Sequence, residues 1–371
     1  MIYLASVISL LSLALFANGT LAHAIPRLCG PPLSGHWLGW NACKNDEVEL
    51  RRDFDSMAPA ERKAYVDAVK CMMDHPSHLD PDRYPGAVNR FFDYAAVHIN
   101  HTLAVHSNGF FLTWHRLFVW RFERDLKDLC GYRGTQPYWN WPATSDNLHE
   151  SAVFDGSEFS ISGDGIYTDS GPVVLSSTFQ LPHGSGGGCV QDGPFANMNY
   201  TMAPIPISVI LEEKPLPATA FDYHATCLTR DLNAYVARTY TNMSLWKEAV
   251  AAPDMETLSA LLDGAIGEQQ IGLHTGAHFT LGPPGSNLFV SPQDPVWYLL
   301  HAMLDYTFWL WQQRHPAAAA DVWGTETTLN LPPSSNVTLE TWAPDVGPFF
   351  PSVQVKELIN TTAGPFCYAY V

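Results

Sequence analysis

His274 and His278 lie four residues apart, and this spacing constrains the chain more than any other feature. On a helix the two side chains leave one face about a turn apart, ~5–6 Å between Cβ atoms, which is a chelating separation. A zinc hydrolase built on such a pair needs a glutamate directly after the first histidine as general base. Thr275 and Gly276 stand there instead, so that mechanism is excluded. His301 heads an aromatic, helix-patterned run, and Asp305 follows by four, where a carboxylate is expected to hold the ring of a ligating imidazole. Three imidazoles without a thiolate favour copper or zinc.

A second set precedes the first. A helical pattern begins at Asn89 and another runs from Phe111 to about Leu129, closed by Cys130-Gly131. His98, His106 and His115 fall within these segments and are expected to face inward. A lone histidine there reads as a hydrogen-bonded core residue; three within a short stretch, matched by three downstream, read as a metal site. His101, three after His98, sits in the sequon Asn100-His101-Thr102 and is placed beside the ligands or at the surface rather than among them.

The rest of the chain bounds the setting. Leu4 to Ala17 is apolar but too short to span a bilayer, and Ala22-His23-Ala24 is a small-x-small pattern, so residues 1–24 are expected to be a signal peptide and 25–371 one catalytic domain. With no later membrane-spanning run, the product is expected to be secreted, soluble and N-glycosylated at some of Asn100, Asn199, Asn242, Asn336 and Asn360. A net charge of -17 argues against nucleic acid as a partner. Seven cysteines allow up to three disulfides and one leftover thiol. Ser56, with a proline and Glu61 beyond it, is expected to cap a helix that ends before His75-Pro76. Residues 137–142, PYWNWP, form an aromatic cluster expected to pack under the first histidines, and 143–230 is a Gly, Ser, Pro and Asp-rich excursion with small strands. Helical pattern returns near Thr229 to Tyr240 and at Met255 to Leu262.

Together the two histidine sets resemble the type-3 copper family of tyrosinases, catechol oxidases and haemocyanins, and within it the short secreted fungal tyrosinase-like enzymes. The likeness rests on VHINHTLAVHSNGFFLTWHRLFVWRFERDL, CGYRG and PYWNW in the first half, on LHTGAHF, SPQDP and HAMLD in the second, and on Tyr368-Ala-Tyr370 near the end. It implies a mainly α fold whose central four-helix bundle holds a dicopper site, with long loops and a few short strands outside, and no C-terminal shielding domain. It implies six copper ligands: His98, His106 and His115 for one ion, His274, His278 and His301 for the other. Rigid helices suit such a centre because two ions must share one dioxygen. The activity implied is O2-dependent oxidation of small phenols, o-diphenols or o-aminophenols, to o-quinones or quinone imines, with monophenol hydroxylation as a further capability.

Several positions depart from the family pattern. Leu300 stands where a second histidine usually precedes the last ligand, Trp297 where phenylalanine is common, and Tyr306 where an arginine usually follows Asp305. Thr275 replaces the usual Asn or Gly, and Glu268 is the nearest acid before His274. No cysteine lies two before His106, so the thioether crosslink of some members is absent. Trp297 and Leu300 are expected to make the rim of the site bulkier, Thr275 to weaken proton handling, and Asn140 or Glu123 to support ligand rings. An oxygen-binding protein, or a degenerate pathway-specific member with little turnover, are the alternatives to the oxidase.

Overall fold

The computed structural model describes residues 43, 44, 46–265 and 270–371; the expected signal peptide, Cys29 and Glu268 lie outside them. The chain forms helices α1 (Pro59–Asp74), α2 (Arg90–Val105), α3 (Phe111–Asp128), α4 (Trp141–Thr144), α5 (Ser208–Leu211), α6 (Ala234–Tyr240), α7 (Met243–Val250), α8 (Met255–Asp263), α9 (Leu273–Leu281) and α10 (Val296–Arg314). Helices α2, α3, α9 and α10 make the central bundle, and α3 packs along α10.

Local chemistry explains most boundaries. Asn89 caps α2 by accepting from the Phe92 N–H at 3.1 Å, and Gly131 follows α3 at φ +66°, a conformation that glycine adopts without cost. Ser56 does not cap α1: its hydroxyl donates to the Asp53 carbonyl, and the helix starts after Ala58, whose N–H donates to the Glu61 carboxylate at 2.9 Å. Pro59 in the first turn moves the start two residues on, since its missing N–H costs nothing there. Residues 229–233 are not helical, and Asn233 caps α6. The first half of helix α10 is apolar nearly all round because it is buried on every side, with Trp297, Leu300 and Leu304 inaccessible, while Tyr306, Trp309 and Leu310 line a half-buried face further along.

Outside the bundle, the 143–230 excursion carries antiparallel pairs, Gly165–Tyr167 with Gly187–Val190 and Asn199–Tyr200 with Thr226–Cys227. The Cys189–Cys227 disulfide ties it, and a Cβ at Gly186 would collide with the Arg230 carbonyl and the Asp164 carboxylate. Cys71–Cys130 joins α1 to the end of α3, and Cys43–Cys367 links the two ends of the described residues beside the parallel pair Glu49–Arg51 and Tyr368–Tyr370. The aromatic cluster at 137–142 lies elsewhere than expected. The Tyr138 ring sits 4.8 Å from that of Tyr306, and the Trp139 N–H donates to Leu299 O, so the cluster backs α10 rather than the first histidines.

Candidate metal centre

The two trios meet in the middle of the bundle. His98 projects from α2, His106 caps its C-terminus, and His115 lies in the second turn of α3. His274 and His278 project from α9 and His301 from α10. Each trio offers one ligand atom per residue, all within 4.8 Å of one another. The trios also touch: the rings of His115 and His301 stack at 4.8 Å.

For four of the six rings a hydrogen bond decides which nitrogen is presented. Nδ1 of His98 bonds Phe289 O at 2.9 Å, of His106 Thr102 O at 3.0 Å, of His115 Phe111 O at 2.7 Å and of His278 Gly285 O at 2.7 Å. A carbonyl only accepts, so Nδ1 carries the proton and each Nε2 keeps a lone pair. Nε2 of His98 and His115 is buried with no hydrogen-bond partner among the described residues. In the other trio, Nε2 of His278 lies 3.0 Å from that of His274 and 3.1 Å from that of His301, and those two are 3.4 Å apart. Converging lone pairs repel unless a cation sits among them, and three nitrogens ~2.0–2.1 Å from a tetrahedral ion are spaced by little more than these distances. The orphaned atoms and the donor set therefore fit one metal ion per trio.

Electrostatics agrees. Burial first, and neighbouring imidazoles after it, push His98, His115 and His301 well below the usual histidine range. Burial takes His106 down to about 4, and His274 and His278 to about 3. All six rings are neutral at neutral pH, the form that binds a metal without first losing a proton.

Other expected residues are placed differently. Asp305 touches no histidine: its carboxylate accepts from Arg116 Nε at 2.6 Å, from the Tyr368 and Tyr370 hydroxyls at 2.6 Å each, and from Arg51 Nη1 at 3.3 Å. One turn beyond His301 on α10, it meets α3 and the C-terminal strand instead of the ligand cluster. Burial pushes its carboxyl up, but Arg116 and Arg51 outweigh this and hold it below the usual range. Arg116 and Arg51 thus fill the need left by tyrosine at 306, whose ring packs with Tyr138 and Tyr370. Glu123 accepts from Arg51 and from the Gln136 N–H, and Asn140 bonds Asp53 at 3.1 Å; neither reaches a ligand ring. Trp297 and Leu300 are fully buried, so neither forms a rim. The Trp297 indole stacks on His301 at 3.8 Å and meets His98 edge-on at 5.4 Å, acting as a floor beneath both trios. His101 stands outside, bonded to Val97 O and Asp345 and stacked on Trp114.

Asp263 was not legible in the sequence. The pair Gly264–Ala265 and Gln270–Ile271 folds the end of α8 back onto α9, so Asp263 Oδ1 stands 3.3 Å from Nδ1 of His274. Its carbonyl accepts the Thr275 hydroxyl at 2.9 Å. Burial pushes the Asp263 carboxyl up to about 7, with His106 drawing it the other way.

This fold and paired trios define a type-3 copper protein. Residues 88–314 match the common central domain of tyrosinase, and the chain belongs to the tyrosinase family. It is 37% identical over 332 residues to tyrosinase P of Aspergillus terreus, covering 88% of this chain and 92% of that one. It is 34% identical over 344 residues to an N-acetyl-6-hydroxytryptophan oxidase of Emericella nidulans, covering 88% and 93%. A polyphenol oxidase structure from Thermothelomyces thermophila superposes with a TM-score of 0.83 at 34% identity, covering 89% of this chain and 90% of that one. The protein is a copper-dependent oxidoreductase of the dicopper type, acting on phenols with dioxygen.

Proposed function

We propose that His98, His106 and His115 hold one copper and His274, His278 and His301 the other, and that the protein oxidises o-diphenols or o-aminophenols in preference to monophenols. The observation that carries the ligand assignment is the set of Nε2 lone pairs pointed at two common points while four of the Nδ1 protons are tied to carbonyls. The bound copper pair supplies electron acceptance from the phenol and activation of dioxygen. The chain's own residues keep six neutral donors in place, exclude water from below with Trp297, and leave His278 partly accessible.

The preference for diphenols rests on proton handling. A monophenol must lose its proton and be hydroxylated, whereas an o-diphenol arrives with both oxygens. Thr275 carries the only hydroxyl on the first turn of α9, and its O–H donates to Asp263 O, so it has no proton left with which to orient a water. Asp263 is the nearest described carboxylate to His274, and Glu268 lies outside the described residues. Oxygen uptake on copper-loaded protein with catechol, o-aminophenol and tyrosine-like substrates tests this reading: the first two exceed the third by about tenfold or more. Monophenol turnover as fast as that of its catechol, without a lag, overturns the preference; no turnover of any phenol overturns the oxidase.

Export is part of the proposal. The apolar run at 4–17, three disulfides and the exposed sequon residues Asn100, Asn199, Asn336 and Asn360 support a secreted glycoprotein. Among the described residues no helix is long and apolar enough to cross a membrane.

A further inference from the structure

A cavity of about 360 Å³ opens between the N-terminus of α3, the end of α8, the second half of α10 and the segment 322–336. Its inner wall is Phe111 and Asp263, and both touch the metal centre. The Phe111 ring stands 4.8 Å from His115 and 4.9 Å from His274, and Asp263 is 3.3 Å from His274 Nδ1. Leu112 and Phe308 give apolar sides, and Trp323 and Leu329 form the outer lip, each 45% exposed. The segment carrying the lip is fixed rather than loose. Gly109 N donates to Thr325 O at 2.9 Å and Leu329 N to Ser107 O at 3.0 Å, which ties the lip to the loop that follows His106.

Cavities of ~300–1,000 Å³ with aromatic walls and few polar groups are the usual size and character of small-molecule sites. A simple catechol would fill only part of this one. Among the described lining residues Asp263 is the sole carboxylate, and there is no lysine or arginine. The wall next to the ligands therefore accepts N–H or O–H donors and opposes anions. An exposed tryptophan at the lip offers a stacking face to an aromatic ring.

We infer that this cavity binds the non-reacting arm of the phenolic substrate, and that the preferred substrate is a phenol bearing a bulky, uncharged arm, a second ring or branched alkyl group joined through an N–H-bearing amide. This rests on the phenol-oxidase reading above and goes beyond it by naming the substrate class. Trp323 and Leu329 hold the arm, Phe111 separates it from the histidines, and Asp263 selects an amide over a carboxylate.

Two measurements on the copper-loaded protein test this. The first compares wild type with Trp323→Ala on plain catechol and on a catechol whose arm is an aryl carboxamide. The variant is expected to raise KM for the armed catechol about tenfold, the size of one lost aromatic contact, with kcat for both and KM for plain catechol unchanged. The second is calorimetric titration with the same arm lacking any phenolic hydroxyl. Wild type binds the carboxamide form and binds its carboxylate counterpart more weakly, Asp263→Asn narrows that difference, and Trp323→Ala loses affinity. Equal KM shifts on both catechols, or failure of wild-type protein to bind the carboxamide arm, overturns the inference. If neither catechol turns over, the oxidase reading fails, while the titration still decides whether the cavity takes the arm.

Discussion

The two halves of the metal centre are held in different ways. In the first, all three Nδ1 groups end on main-chain carbonyls, of Phe289, Thr102 and Phe111. In the second, His278 uses the Gly285 carbonyl, His274 a carboxylate, and His301 has no Nδ1 partner among the described residues and is fixed by stacking on Trp297. Any residue supplies a carbonyl, so the first half is insensitive to which side chains surround it. The second half hangs on two particular side chains, Asp263 and Trp297, and is the half that substitution can tune.

Removing a ligand breaks the comparison most sharply. His301→Ala is expected to lower copper from two ions per chain to about one and to abolish oxidase activity, because the remaining pair of nitrogens cannot retain its ion. Metal analysis of the purified variant checks it, and full copper content would remove His301 from the ligand set. Asp305→Ala comes next and acts on the fold rather than on either half. It leaves Arg51 and Arg116 buried without their shared carboxylate, which costs about 3–5 kcal/mol. Denaturant unfolding should show that loss while folded protein keeps both coppers, an outcome opposite to that of a ligand-orienting residue.

Asp263→Ala should separate the halves. Loss of a hydrogen-bonded carboxylate on a ligating histidine costs ~10–100-fold in metal affinity or activity, and here it should fall on one ion only. Competition with a chelator is expected to release one copper per chain early and the other at the wild-type rate; equal release of both would show that the halves are coupled. Acid treatment of copper-free protein gives a smaller, graded effect. Unfolded histidines bind protons below about 6.5, whereas in the folded chain His106 does so only near 4 and His274 and His278 near 3. The unfolded state therefore takes up more protons, and stability falls as pH drops from about 6.5 towards 4. Unfolding midpoints measured across that range check the sign. His101→Ala should have the least effect, with both ions retained, since its bonds run to Val97 O and Asp345 and not to the metal-facing atoms.

What could be read directly was local. Histidines at helical spacing, the start of α2 near Asn89, the C-terminal glycine of α3 and the apolar run of α10 follow from contacts three or four residues apart, which periodicity and residue type report. Three disulfides among the described cysteines fit the count, though their pairing was open. Reading Asp305 as a ring-orienting acid failed because an i,i+4 carboxylate next to a ligand looks the same whether it faces metal or arginine. Trp297 and Leu300 line no rim; sequence does not say on which side of a buried helix solvent lies.

The sequence by itself determined the two histidine trios, most of the helices that carry them and a donor type that suits copper, because each depends on short-range spacing and residue type. Tertiary structure alone decided that Asp305 meets Arg51, 254 residues away, that Asp263 reaches His274 through a strand turn, and that a cavity forms against Phe111. These are contacts between chain segments remote in sequence, fixed by how the helices pack and by which buried charges must find partners, and no local pattern encodes them.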